Sequence, residues 1–447
     1  MKLRIVVVLM FLAVASMASA QMIGINVVLN RPVSNEIVAE LKAFGAVRDV
    51  VPEIRAITVQ AKASNLPVIQ SLPYVAAANP DQERDAIPTA AAAPTDFSSG
   101  LSTWNLDAVN VTEPGYGLRT VPFDGSGVYV AVLDSGLLRT WPYYFPAERI
   151  ATKYARSFGG GGGWNGYVSS QPNKWEEDQN SHGIHVTSTI LGYNFSGVPI
   201  NGVAPKATVI PVKVLNQTGR GWSSVIARGI VYVADLKVGP LAGSPVVINM
   251  SLSGPVLDSM EAAAVDYAIS KGVIIVAAAG NRGTRGMGYP AAYAPVISVA
   301  ASGWTGEWKT ASWWWKDNVP DSTNPDDYYI GTFSSRQLKG QDLDVAAPGT
   351  WVLGPYQDNG QISWYFLGGT SMASPHVAGI VAMMAQKKPS LTTAEAESIL
   401  ESTAIKLPAG CRNVIDPNVG AYVQYCWGAD ATGAGLATAD AALNALP

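Results

Sequence analysis

From residue 128 onward the apolar residues come in short, nearly unbroken runs: 128–133, 209–214, 246–250, 273–279 and 296–300. A strand with one wet face alternates, whereas a strand covered on both faces does not. Between and after these runs, apolar positions recur at helical spacing over 223–236, 259–271, 372–386 and 392–403. The alternation of the two patterns predicts an α/β fold, with a mostly parallel central sheet and helices on both faces. No internal repeat is visible.

Residues 21–85 read differently, as a small α+β unit. A strand is predicted at 23–29, where Gly24 weakens only the start. Ser34 is a helix N-cap ahead of Ile37, Val38, Leu41 and Phe44. A second strand at 56–59 follows, then a short helix from 63–65 and a last strand beginning at 74–76. The stretch 86–94 is rich in small residues and bounded by Pro88 and Pro94, the composition of a protease-accessible linker or of a plain interdomain tether.

The first twenty residues carry a positive start (Lys2, Arg4), an apolar run over 5–14 and Ala18-Ser19-Ala20. This is the order of an export signal, and the run is short for a membrane anchor. The expected domains are therefore a signal at 1–20, a removable prosegment at 21–95 and a large domain at 96–447. Export permits a disulfide, and Cys411 and Cys426 are the only cysteines; pairing is expected, with two free thiols as the alternative.

Composition narrows the function. Of 447 residues, 30 are basic and 34 acidic, a net −4 that argues against a nucleic-acid surface. Two cysteines exclude a multi-cysteine zinc module. The five glycines 159–163 lie in a loop context and read as a mobile loop, not a phosphate cradle. Residues 303–330 hold Trp304, Trp308, Trp313, Trp314 and Trp315, then Asp317, Asp321, Asp326 and Asp327. A ligand surface or cation site is one reading; a surface loop packing its own aromatics is the expectation.

Ligands of an open parallel sheet sit beyond the carboxyl ends of its strands. The first run ends in Asp134-Ser135-Gly136, the third in Ser251-Leu252-Ser253-Gly254 and the fourth in Gly280-Asn281. The three histidines fall in two segments, 178–186 and 368–379. Ser181 is the expected N-cap of a helix carrying His182, and Pro375 is expected in the first turn of a helix, where N–H groups lack partners. Ser371 then stands at a helix N-terminus that favours developing negative charge. A serine hydroxyl needs a base, and His182 is available; Asp134 would orient it, and Asn281 with the Ser371 N–H would stabilise an oxyanion. His185 lies three residues after His182, but zinc is disfavoured because no H-E-x-x-H pattern exists. His376 is expected to be a buried helix residue bonded locally.

Residues 130–136, 180–186, 277–281 and 369–379, in the order Asp, His, Asn, Ser, resemble the subtilisin-like serine proteases. Residues 249–252, 202–205 and 435–442 also match. The likeness covers roughly 100–447, and 21–85 resembles the family's inhibitory propeptide more weakly. It implies a secreted serine endopeptidase that works through an acyl-enzyme. Ser251, Leu252, Ser253, Ala278, Ala279 and Gly280 would line the primary specificity pocket, and Gly219-Arg220-Gly221 would pair with substrate. Ser253, where the family often has Gly, would narrow that pocket. The implied partners are peptide or protein substrates and the chain's own propeptide; a monomer without a membrane anchor is expected. The chemistry requires no cofactor. Structural calcium belongs to the family, but 137–141 and 192–199 lack a clear ligand series, so its ligands stay unknown. The competing readings are a catalytically silent exported binding protein of the same fold and a transpeptidase using the same acyl-enzyme.

Overall fold

The computed structural model describes residues 21–85, 90–92, 102–112, 119–159, 166, 168–310, 314–316, 319–357 and 361–447. The expected signal, most of the linker, Gly160 to Gly163, Trp313 and Asp317 lie outside them.

The first unit holds strands β1 (Met22–Leu29), β2 (Gly45–Val51), β3 (Ala56–Lys62) and β4 (Val75–Pro80), with helices α1 (Asn35–Lys42) and α2 (Leu66–Gln70). The sheet order is β2-β3-β1-β4, all antiparallel. Ser34 caps α1 as expected, its Oγ accepting from Ile37 N at 3.4 Å. Strand β2 is unforeseen, because Arg48 and Asp49 interrupt its apolar residues and its pairing shifts register at that point. Ile25, Val27, Leu41, Ile57 and Val59 form the unit's own core. Two short strands follow, β5 (Glu83–Asp85) and β6 (Ala90–Ala92).

The larger part continues with α3 (Trp104–Ala108), β7 (Tyr129–Asp134), α4 (Trp141–Tyr144), β8 (Arg156–Phe158), β9 (Ser170–Gln171) and α5 (His182–Leu191). Next come β10 (Gly192–Phe195), β11 (Val198–Asn201), β12 (Thr208–Lys213), β13 (Arg220–Trp222), α6 (Ser223–Val238), β14 (Val246–Met250), α7 (Ser259–Ser270) and β15 (Val273–Ala278). The chain closes with β16 (Ile297–Trp304), β17 (Tyr328–Ile330), β18 (Val345–Pro348), β19 (Val352–Pro355), β20 (Trp364–Gly368), α8 (Thr370–Lys387), α9 (Thr393–Thr403), β21 (Gly410–Asp416), β22 (Ala421–Trp427) and α10 (Ala439–Ala445). The central sheet runs β17-β16-β15-β14-β7-β12-β8-β9, with β18 beside β16. Its pairs from β8 across to β16, and the β16–β18 pair, are parallel; β17 and β9 are antiparallel edges. The five nearly unbroken apolar runs are five neighbouring strands of this α/β sheet, as their two-sided burial requires. One hydrophobic cluster gathers α5, α8 and their sheet face; a second gathers α6, α7 and the other face. Among the described residues no helix is long and apolar enough to cross a membrane.

The small unit rests on α7 and the start of α6 through buried polar groups. Asp258 caps α7 with Oδ1, accepting from Met260 N at 2.9 Å, and its Oδ2 accepts from Asn26 Nδ2 at 3.0 Å and Asn79 Nδ2 at 2.7 Å. Asp81 accepts from Ser223 Oγ and Ser224 N, both at 2.9 Å. Burial and the neighbouring Asp258 raise the Asp81 carboxyl above the usual range.

The expectation of a surface loop packing its own aromatics at 303–330 holds in part: Trp308 packs on Trp314, but the rings lie in the core and not at the surface. Trp304, Trp314 and Trp315 are buried, and Trp308 packs on Trp351 and Phe366. The reason is the return strand β17, which pairs Trp304 with Tyr328 and folds the segment back onto the core. Within it Glu307 is fully buried and accepts hydrogen bonds from Tyr329 Oη at 2.6 Å, from Trp304 N at 3.1 Å and from Thr350 Oγ1. Cys411 and Cys426 form the expected disulfide across the β21–β22 hairpin.

Burial pushes the Glu307 carboxyl from 4.5 up to about 8, against its hydrogen bonds. The folded chain therefore keeps a proton that the unfolded chain has already released. This stabilisation is complete below about pH 4.5 and is lost as pH rises toward about 8. Tm measured from about pH 5 to about pH 9 should fall more steeply for wild type than for Glu307→Gln, which keeps the shape without the charge. Parallel Tm curves would contradict the assignment.

Candidate active site

Strand β7 ends in Asp134, and the sheet edge there is tightly wound. Asp134 Oδ1 accepts from Ser135 N at 2.6 Å, and Ser135 Oγ accepts from Gly183 N at 2.8 Å, tying the start of α5 to the strand end. Gly183 has no alternative, since a Cβ there would lie 2.2 Å from Gly136 O. This close approach brings His182, the first residue of α5, onto Asp134: Nδ1 is 2.9 Å from both carboxylate oxygens. Both side chains are buried. His182 Nε2 is also buried and has no hydrogen-bond partner among the described residues.

Ser181 does not cap α5. It adopts a left-handed conformation with φ 68°, and its Oγ donates to Gln357 O at 3.1 Å. Asp178 Oδ1 instead receives Asn180 N at 2.8 Å and Ser181 N at 3.0 Å. Sequence reasoning also passed over Lys213, which is buried beside this turn and donates to Ser135 O at 2.7 Å and Leu215 O at 2.8 Å. Burial lowers the Lys213 ammonium, opposed by Asp178 and Asp134; burial raises Asp178 to about 6, opposed by Lys213. A lysine within an otherwise apolar strand was the one available signal.

Ser371 is the second residue of α8, and the helix begins two residues earlier than its periodicity suggested. Pro375 consequently lies beyond the first turn, correcting the expectation. Its missing N–H leaves Ser371 O free of a helical donor, and Ser251 Oγ fills the gap at 2.7 Å. Ser371 Oγ in turn donates to Ser251 O at 3.1 Å, so it makes no hydrogen bond to His182 here. Asn281, just beyond β15, accepts with Oδ1 from Thr370 N at 2.9 Å and Thr370 Oγ1 at 3.0 Å. Its Nδ2 then faces Gly369: a point one Cβ bond from Gly369 lies 3.3 Å from Nδ2 and 3.7 Å from Ser371 N. A small anion would find two N–H groups there.

The other anticipated residues are spread along the same edge. Gly221 sits in β13, opposite Arg84 of β5, whereas Gly219 lies in the preceding turn with φ +74° and its N–H on Asn216 O at 2.9 Å. Arg220–Trp222 is the stretch that pairs with β5. Ser253 Oγ lies 3.0 Å from where a Gly280 Cβ would be. Leu252 joins the core beneath and Ala278 is buried. His376 is buried in α8 as expected, with Nδ1 2.8 Å from Met372 O, and burial lowers it to about 4. His185 turns to Val352 O at 3.1 Å, and burial lowers it to about 3.

A sequence profile of the subtilase family matches residues 125–435. The chain belongs to the subtilase family. This subtilase is 36% identical to Subtilisin E of Bacillus subtilis (strain 168) over 294 residues, which are 65% of this chain and 64% of that protein. It is 33% identical to Thermitase of Thermoactinomyces vulgaris over 304 residues, 68% of this chain and 90% of that one. Its fold matches fervidolysin from Fervidobacterium pennivorans, described as a keratinolytic enzyme related to subtilisin, with TM-score 0.67 and 23% identity over 96% of this chain and 62% of that chain. The matched regions thus cover less than two thirds of Subtilisin E and of fervidolysin.

Subtilases commonly carry structural calcium. Among the described residues one acidic group, Asp344, Glu397 and Glu401, has carboxylate oxygens within 4.8 Å of one another. Asp344 Oδ2 already accepts from Ser298 N at 2.6 Å and Ser298 Oγ at 2.8 Å. Three carboxylates offer at most six oxygens, the low end of the roughly six to eight calcium takes, and one of these is already engaged by Ser298, so this group would hold a metal only with further oxygen donors.

Replacing Ser251 by Ala should orphan both Ser371 O and Asn249 Nδ2, which donates to Ser251 Oγ at 3.0 Å. A buried unsatisfied group costs about 1–3 kcal/mol. The urea midpoint of Ser251→Ala should drop accordingly; an unchanged midpoint would mean that other donors serve these atoms.

Proposed function

We propose that this subtilase is a secreted serine endopeptidase that cleaves peptide bonds through an acyl-enzyme on Ser371. Residues 1–20 act as export signal, 21–95 as inhibitory propeptide and 96–447 as the peptidase domain. The observation that carries the reading is the state of His182: Nδ1 is held by a buried carboxylate while Nε2 has no partner among the described residues. An imidazole fixed this way is a base waiting for one proton.

The substrate enters as an extended strand against Arg220–Trp222, the track β5 follows here. Ser371 Oγ leaves Ser251 O and attacks the carbonyl carbon while His182 Nε2 takes its proton. Asp134 holds the Nδ1–H and stabilises the imidazolium. The carbonyl oxygen, now an anion, receives Asn281 Nδ2–H and Ser371 N–H, and the dipole of α8 adds to them. His182 then gives its proton to the leaving amine, and the amide C–N bond breaks. Water, deprotonated by His182, opens the ester and returns Ser371. No step draws on a cofactor.

The propeptide assignment rests on what the chain does around Ser371. Strand β5 pairs with β13, and β6 pairs with β20, which ends at Gly368, three residues before Ser371. Residues 83–85 and 90–92 are thus paired with β13 and β20, the two strands that would flank a bound substrate.

A fluorophosphonate probe should label the processed wild type and leave Ser371→Ala unlabelled; labelling of both would remove Ser371 from the chemistry. Asn281→Ala should lower kcat by the roughly 100–1000-fold typical of an oxyanion donor in this enzyme class, with KM little changed. A loss confined to KM would contradict the oxyanion role.

A further inference from the structure

Arg84 of β5 is fully buried, yet almost everything it touches belongs to the large domain. Its Nε donates to Glu261 Oε2 at 3.0 Å and to Oε1 at 3.3 Å, and Nη2 makes a further contact with Oε2. Nη2 also donates to Val256 O at 3.1 Å, and Nη1 to Glu83 O at 3.1 Å. Glu261 is buried in the first turn of α7. Gly254 makes room for strand and side chain together: a Cβ there would lie 2.5 Å from both Nη1 and Glu83 O. Carboxylate, carbonyl and missing side chain together form a socket for one guanidinium.

The position of the socket gives it meaning. Arg84 pairs with Gly221 in the antiparallel ladder, on the track assigned above to substrate. Once residues 21–95 depart, Glu261 is left in the emptied socket without its counter-charge. An incoming strand in the same register directs one side chain to that carboxylate. Arg answers it with a fork of donors, Lys only with a point charge, and an apolar or acidic residue leaves it unpaired.

We propose that Glu261, with Val256 O and the space at Gly254, is an arginine-selecting subsite for the substrate residue that pairs with Gly221. This deepens the peptidase reading and rests on it. Arg84 is then the propeptide's copy of a substrate arginine.

The test uses the full chain as expressed and fluorescent peptides with the sequence of residues 83–92, carrying Arg, citrulline or Leu at the second position. Binding is read by polarisation. The ratio between peptides is compared, because the chain's own segment competes equally with all three. Wild type should bind the Arg peptide at least about 10-fold more tightly than the citrulline peptide, which keeps the shape without the charge. Glu261→Gln should bring that ratio to near one. Glu261→Leu, which replaces the carboxylate by an apolar wall, should also abolish the Arg preference and favour the Leu peptide, so the proposal survives poor folding of either variant. Equal binding of the three peptides by wild type, or an Arg preference that persists in both variants, would overturn it. Casein digestion is followed in parallel: its absence from wild type counts against the peptidase reading, while the arginine ratio is still read from polarisation.

Discussion

One hydrogen-bonded contact organises this molecule: the imidazole of His182 against the carboxylate of Asp134, 2.9 Å apart and closed off from water. A carboxylate can stand there only because β7 delivers it at the carboxyl end of a strand in mid-sheet, where Ser135 N supports it. The imidazole reaches it only because Gly183 lets α5 touch the Gly136 backbone. Lys213, driven under the same turn by the neighbouring strand, balances Asp134 and Asp178 from below. On the far side, α8 brings Ser371 with its carbonyl held by Ser251 in place of the helical donor that Pro375 removes. The parts come from distant stretches, and the parallel sheet is what makes them neighbours.

The second theme is the polar character of the contact between the small unit and the large domain. Asp81, Asp258, Asn26, Ser223 and Arg84 are buried there and closely paired. Buried polar groups of this kind add little net stability but make mismatched docking expensive. Such a surface specifies a partner tightly and still permits its release, which suits a segment proposed to cover the cleft for a time.

The sheet was readable from the sequence because strands buried on both faces cannot hide: each nearly unbroken apolar run is one strand of the parallel set. Asp134, Asn281 and Ser251 were readable because they directly follow such runs. Other features were written in packing instead. Strand β2 was masked by Arg48 and Asp49, whose charges broke the alternation. Ser181 had the composition of a cap, but the turn before it is held by Asp178, so its backbone goes left-handed instead. The 303–330 segment looked like surface because of its length and its acids, yet Tyr328 pairs it back to Trp304 and draws the rings inward. Nothing local marks Glu261 as special; only its meeting with Arg84, 177 residues away, does.

The central claim is that Asp134, His182 and Ser371 act as one unit, and non-additivity tests it most directly. Turnover of a peptide substrate is measured for His182→Ala, for Ser371→Ala and for the chain carrying both changes. The account predicts that the double variant is no slower than the slower single variant, because removing either member already abolishes the shared proton transfer. Losses that multiply would mean that the two side chains work independently, and the account would fail.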